Sequence, residues 1–169
     1  MPFTIFESPF GVLTLGAGET GLRHLYFPGT APPPDESEHD GAQFTVVTEQ
    51  LSEYFAGERT RFELPLDYSG TPFQRSVWRA LQAIPYGATT TYGALARQLA
   101  AQPRAVGAAV GATPIPIIVP CHRVIGSDGS LTGYGGGLPR KRALLELEAT
   151  GGDRSAFDAA WRQQQLALL

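Results

Sequence analysis

"TYGALARQLAAQPRAVGAAVGATPIPIIVPCHRV", residues 91–124, decides the fold. "TYGALARQLA" and "PRAVGAAVGA" read as two short helices with a tight connection, the outline of a helix-turn-helix. The prolines at 114, 116 and 120 then exclude a helix and demand an extended run. That run carries Ile117, Ile118 and Val119 and delivers the chain's one cysteine, Cys121, between Pro120 and His122. A helical unit therefore presents a single thiol at the end of an apolar, strand-like segment.

Working outward, Thr71-Pro72 supplies an N-cap and a proline at the first helical position. Phe73, Val77, Trp78 and Leu81 follow as one apolar stripe. Downstream of the cysteine, "SDGS" is a turn and "TGYGGG" a glycine-rich loop. "PRKRALLELEA" opens a helix on Pro139, and a last helix is expected from about residue 153 to 167. The first seventy residues have another character. "FTIFES", "VLTLGA" and "LRHLYF" are short apolar or alternating runs separated by turn chemistry. "GTAPPPDESEHDG" is an acidic surface loop, and Phe44, Val47, Leu51 and Tyr54 or Phe55 recur at helical intervals up to Gly57. "RFELPL" returns to strand. The expectation is an α+β protein. A small antiparallel sheet domain with one covering helix spans 1–69. A mainly helical domain containing the helix-turn-helix and the cysteine spans 70–152, and a C-terminal helix or tail spans 153–169.

The net charge of −3 hides a division. Residues 1–70 carry three basic and eleven acidic side chains, whereas residues 71–145 carry eight basic side chains against one acid, Asp128. A half this basic either faces phosphates or simply collects cations on solvated helix faces. One cysteine allows no internal disulfide, and three scattered histidines argue against a thiolate zinc site. No apolar run approaches a membrane span and no basic-then-apolar leader opens the chain, so a cytoplasmic protein is expected.

Cys121 is either a small buried hydrophobe or a nucleophile whose thiolate is favoured by the cations of His122 and Arg123. Neighbours in an extended chain point to opposite sides, so proton transfer between Cys121 and His122 needs a turn or a bridging water. Glu148 shares a helix face with Lys141, Leu144 and Leu145. It is either a solvated glutamate at a helix end or the partner of His122 in a Glu148–His122–water–Cys121 relay. In residues 104–112, Gly107 and Gly111 among alanines and valines leave one helix side nearly bare. Either a neighbouring helix or a nucleic-acid groove approaches it closely.

The run "PCHRVIGSDGSLTGYGGGLPRKRALLELE" (120–148) closely resembles the active-site region of the O6-alkylguanine-DNA alkyltransferases. The likeness extends back through "RAVGAAVG" and "IPYG" to "FQRSVWRAL", and the Pro-Cys-His-Arg-Val run is very specific. The resemblance implies a DNA repair protein that takes the alkyl group of O6-alkylguanine onto itself once, without a cofactor. By motif position Cys121 would be the acceptor, with His122 and Glu148 as relay and Tyr92 helping to rotate the nucleotide and protonate the departing base. Arg104 would fill the stack. Ala105, Gly107, Ala108, Gly111, Thr113 and Arg123 would join it and Tyr92 at the DNA, in the minor groove. Pro116, Val124, Tyr134, Gly135, Gly136 and Lys141 would line or support the guanine pocket. The implied partner is duplex DNA carrying O6-alkylguanine; no metal, membrane or obligate protein partner is implied, and a monomer is expected. The chain departs from the family pattern at Thr113, where asparagine is usual, at Val110, and in a shorter connection between Tyr92 and Arg104. A lesion-binding sensor that does not react is the alternative; a thiol hydrolase leaves the basic half unexplained.

Overall fold

The computed structural model describes residues 1–131 and 133–166; the side chains of residues 164–166 and the final position expected for the last helix, 167, lie outside what is described. Three strands, β1 (Phe3–Ser8), β2 (Gly11–Ala17) and β3 (Leu22–Tyr26), form an antiparallel sheet in the order β1-β2-β3. Alternation sends Leu13 and Leu15 of β2, with Leu22 and Leu25 of β3, into the core. Helix α1 (Thr45–Phe55) covers this sheet with Leu51, Tyr54 and Phe55.

The segment 61–66 is not the expected strand. It makes one isolated bridge, Leu22 to Leu66, and Pro65 has no N–H to give a ladder. The amide of Gln50 on α1 instead bonds both backbone groups of Glu63, at 2.9 and 3.2 Å. One side chain thus does the work of a neighbouring strand.

Helix α2 (Pro72–Gln82) starts where the sequence places it, with Thr71 and Gln74 capping each other's backbone. Its indole Trp78 donates to the Ala109 carbonyl at 2.9 Å, tying α2 to α4 (Pro103–Gly111). Between them α3 (Tyr92–Leu99) is capped by Thr91 and ends on Ala100, which has left-handed φ of 51°. Just before α3, the short β4 (Thr90–Thr91) pairs in parallel with β5 (Val124–Ile125). This two-rung ladder fixes Tyr92 relative to the residues that follow Cys121.

The expected extended approach to the cysteine holds only as far as Ile115. Ile117 takes φ of 73°, and Val119 N–H donates back to the Ile115 carbonyl at 2.9 Å, which folds the run into a turn. Cys121–Arg123 then form one turn of 3-10 helix. Helices α5 (Leu138–Ala149) and α6 (Arg154–Leu166) close the chain. Phe157 of α6 is fully buried, and one continuous apolar cluster runs from Phe10 of the sheet half to Phe157.

Two backbones meet where the halves join. Gly57, after α1, has φ of 79°, and a methyl placed there would overlap the Gly152 carbonyl beyond α5. Gly57→Ala combines a left-handed backbone with overpacking against rigid main chain. It is expected to destabilise the fold by about 1–3 kcal/mol, read as a lowered urea midpoint with unchanged slope.

Candidate active site

Cys121 lies at the base of a cavity of about 190 Å³. The 3-10 turn that places it there is entered from Pro120 and runs directly into β5, whose Val124 is buried. Pro116, Tyr134, Gly135 and Gly136, which the resemblance implies at the guanine pocket, line this cavity, and so do Gly111 and Thr113, which it implies at the DNA. Val124 and Lys141 do not line it. Both are fully buried beneath, where Lys141 Nζ donates to the Val124 carbonyl at 2.6 Å. The sheet half also lines the cavity, through Tyr26, Phe27 and Thr30, with the Phe27 ring packed against Gly136 and Tyr134 of the glycine loop. Nothing in their local pattern distinguishes them from ordinary strand-end residues, and only the tertiary fold brings them to the thiol.

Burial pushes the Cys121 thiol up to about 11. The Thr113 hydroxyl, its own backbone N–H, the Lys141 ammonium and the Tyr134 hydroxyl all act in the opposite direction without overcoming that cost. The resting group is therefore a protonated thiol. Of the cations near the thiol, the one that favours its ionised form is Lys141, and not the His122 and Arg123 beside it in sequence. Thr113 has one hydroxyl proton, already donated to the Val110 carbonyl at 2.7 Å. The buried Tyr134 hydroxyl stands beside the sulfur, outside hydrogen-bond geometry with any described group.

Arg123 corrects a second expectation. Rather than reaching DNA, its side chain is buried, with Nε and Nη2 on the two Glu148 oxygens at 2.7 and 3.0 Å and Nη1 on the Ile84 carbonyl at 2.7 Å. A buried carboxylate needs a paired cation, and Arg123 is the one the turn supplies. Glu148 also meets His122 Nε2 at 2.7 Å and the Tyr54 hydroxyl at 2.6 Å. Burial alone would raise the Glu148 carboxyl, but the charges and hydrogen bonds of His122 and Arg123 draw it down to about 2. An ionised carboxylate only accepts, so His122 Nε2 carries the proton that meets Glu148, and Nδ1 is the ring nitrogen left for another partner. That Nδ1 is buried and bonded to no described group. Tyr54, 94 residues away from Glu148 in sequence, carried no local sign of this contact; its helical spacing marked it only as core.

The bare face of α4 looks outward. Arg104, Ala105, Ala108 and Gly111 are exposed, and a methyl on Gly111 would meet nothing within 4 Å. The opposite face, with Val106, Ala109 and Val110, is buried toward α2. Among the described residues no neighbouring helix covers Arg104, Ala105, Ala108 or Gly111. Gly107 is half-buried beside the Tyr92 ring. The Tyr92 hydroxyl lies 3.4 Å from the Gly133 carbonyl and its ring 5.9 Å from Lys141 Nζ, so it stands between α4 and the cavity mouth. Burial, then the nearby Cys121, raises its phenol above the ordinary value.

Comparison with known proteins agrees with this geometry. Residues 72–150 match the model of the 6-O-methylguanine DNA methyltransferase DNA-binding domain, and residues 1–68 match that of the same proteins' ribonuclease-like domain. The chain is 51% identical over 146 residues to a methylated-DNA–protein-cysteine methyltransferase of Mycolicibacterium paratuberculosis, covering 84% of this chain and 88% of that one. A protein of the same name from Methanosarcina acetivorans is 46% identical over 155 residues, 89% of this chain and 99% of the relative. Among solved structures, Mycobacterium tuberculosis OGT in complex with DNA superposes with a TM-score of 0.81 at 46% identity, covering 93% of this chain and 99% of that one.

Proposed function

The chain belongs to the 6-O-methylguanine DNA methyltransferase family, and we propose from this that it repairs DNA by taking the alkyl group of O6-alkylguanine onto Cys121. The observation that carries the assignment is the chain's one thiol at the base of a glycine-walled cavity, beside a buried Glu148–His122 pair. The non-reacting sensor reading is not favoured, since the close relatives are named as methyltransferases.

The base inside a duplex hides its O6 substituent, so it has to leave the stack at a cost of a few kcal/mol. The exposed Ala105, Ala108 and Gly111 surface of α4, with half-buried Gly107 beside it, lets DNA backbone and groove come close, Arg104 fills the gap, and Tyr92 guides the nucleotide inward. The thiol proton passes through a water to His122 Nδ1, while Glu148 holds Nε2–H and balances the imidazolium. The sulfur attacks the alkyl carbon, the S–C bond forms and the C–O6 bond breaks. Tyr92, kept protonated by burial, supplies a proton to the departing guanine. Lys141 steadies the developing thiolate from below and Tyr134 and Gly135 flank the purine. The product is a neutral thioether with no neighbouring group able to remove the alkyl, so each molecule acts once and no cofactor takes part.

The division of labour follows the charge: residues 1–69 complete the cavity wall, 70–152 bind DNA and carry the chemistry, and helix α6 (Arg154–Leu166) braces the two. Among the described residues no helix is long and apolar enough to cross a membrane. A cytoplasmic monomer acting on duplex DNA with O6-alkylguanine is the form in which the protein works.

Incubation with a methylated-guanine oligonucleotide tests the assignment: peptide mapping should find one methyl on the Cys121 peptide, and none overturns it. Arg104→Ala should slow repair in duplex DNA about tenfold or more, because gap filling offsets part of the flipping cost. Reaction with free alkylated guanine should be nearly unchanged. Equal losses on both substrates would refute the role of Arg104.

A further inference from the structure

Glu148 takes more donors than a two-residue relay requires. Arg123 spans both oxygens, and His122 Nε2 meets Oε2 at 2.7 Å. The Tyr54 hydroxyl donates to that same Oε2 at 2.6 Å, from helix α1 in the sheet half. We propose that Tyr54 is a positioning residue of the alkyl-transfer relay, holding the Glu148 carboxylate in line with the His122 Nε2–H bond; this rests on the function proposed above.

Three observations support the assignment. First, the phenol cannot drift: Tyr54 is 0% exposed, and its ring packs against Phe55, Phe62 and Tyr86 at 5.3 to 6.3 Å between centroids. Second, it cannot lose its donor, because burial and the adjacent Glu148 charge hold the hydroxyl well above its ordinary ionisation range. Third, Arg123 alone leaves the geometry of Oε2 loosely set. Its Nη2 bond is the longest of the four at 3.0 Å, and the same guanidinium is also drawn to the Ile84 carbonyl. Oε2 accepts from the Tyr54 hydroxyl at 2.6 Å and meets His122 Nε2 at 2.7 Å, both shorter than its bond from the cation, so these two contacts set its position. When His122 takes the thiol proton, Glu148 is then already placed to balance the new charge without moving. The sheet half thereby reaches the chemistry directly, through one oxygen, besides forming a wall of the cavity.

Tyr54→Phe removes only that oxygen and keeps the packed ring. Single-turnover transfer from methylated duplex is measured over a range of DNA concentrations, at equal folded fraction read from urea transitions. The limiting rate should fall about tenfold, the factor that a hydrogen bond to a charged group is worth. The half-saturating DNA concentration should stay the same. The hydrogen-bonded Nε2 proton of His122, expected far downfield in an NMR spectrum of the unsubstituted protein, should shift or broaden in the variant. An unchanged limiting rate overturns the proposal. So does a slowed reaction with weakened DNA saturation and an unmoved His122 proton, which marks a purely structural bond. If the unsubstituted protein takes up no alkyl group, the parent reading fails, and the proton resonance alone decides whether Tyr54 positions His122.

Discussion

Cys121→Ala should abolish alkyl uptake while lesion-containing duplex is still bound to within about twofold of the unsubstituted protein. The chain has no second cysteine to take over, and the side chain is 5% exposed, so its loss leaves the DNA-facing surface of α4 untouched. Intact mass after incubation with methylated oligonucleotide reads the first effect, and gel shift or anisotropy reads the second. Residual methylation of the variant anywhere on the chain would sink the assignment. The pH dependence of the unsubstituted protein sharpens the point. A thiol held at about 11 is anionic in only about one molecule in ten thousand at pH 7. If that fraction attacked unaided, the rate would climb about tenfold per pH unit up to about 11. Proton transfer to His122 predicts a rate that levels off well below that pH. The same shift acts on the fold: its contribution is fully present below about 9, the ordinary thiol value, and is lost as pH rises through about 11.

Glu148→Gln should cost about 3–5 kcal/mol of folding stability and slow transfer at least about a hundredfold. The substitution leaves the Arg123 guanidinium buried without its counter-charge and hands His122 an amide in place of a carboxylate. Urea denaturation and single-turnover kinetics measure the two losses. Acid titration gives an independent check with a fixed sign. The carboxyl falls from 4.5 to about 2 on folding, so its stabilising contribution is present above about 4.5 and is lost as pH falls through about 2. The contribution amounts to about 3 kcal/mol, so the unsubstituted protein should lose more stability than Glu148→Gln across that window. Parallel pH curves for the two proteins would remove Glu148 from the centre of the site.

The parts of the site readable in the sequence were those whose chemistry is local. Three prolines and a lone cysteine marked the segment that delivers the thiol, though as an extended run and not as a turn, a proline and two glycines marked the bare helix, and helical spacing set Glu148 on one face with Lys141 and Leu144. Arg123 was misplaced because a cation beside a nucleophile looks the same whether it serves the thiol, the DNA or a buried carboxylate. Only the packed structure shows which partner it takes. The segment 61–66 looked like strand because apolar residues alternate there, and no local pattern announces that a glutamine side chain replaces the missing ladder. Tyr26, Phe27 and Tyr54 were invisible as site residues for a related reason: their roles depend on contacts with residues far along the chain.

The closed floor of the cavity has a consequence at the scale of the cell. A sulfur buried there and capped by an alkyl group has no route back, so every lesion removed consumes one whole polypeptide. Protection is then a finite stock set by synthesis. Damage should be cleared in strict proportion to the number of copies present and persist beyond that point until new chains are made.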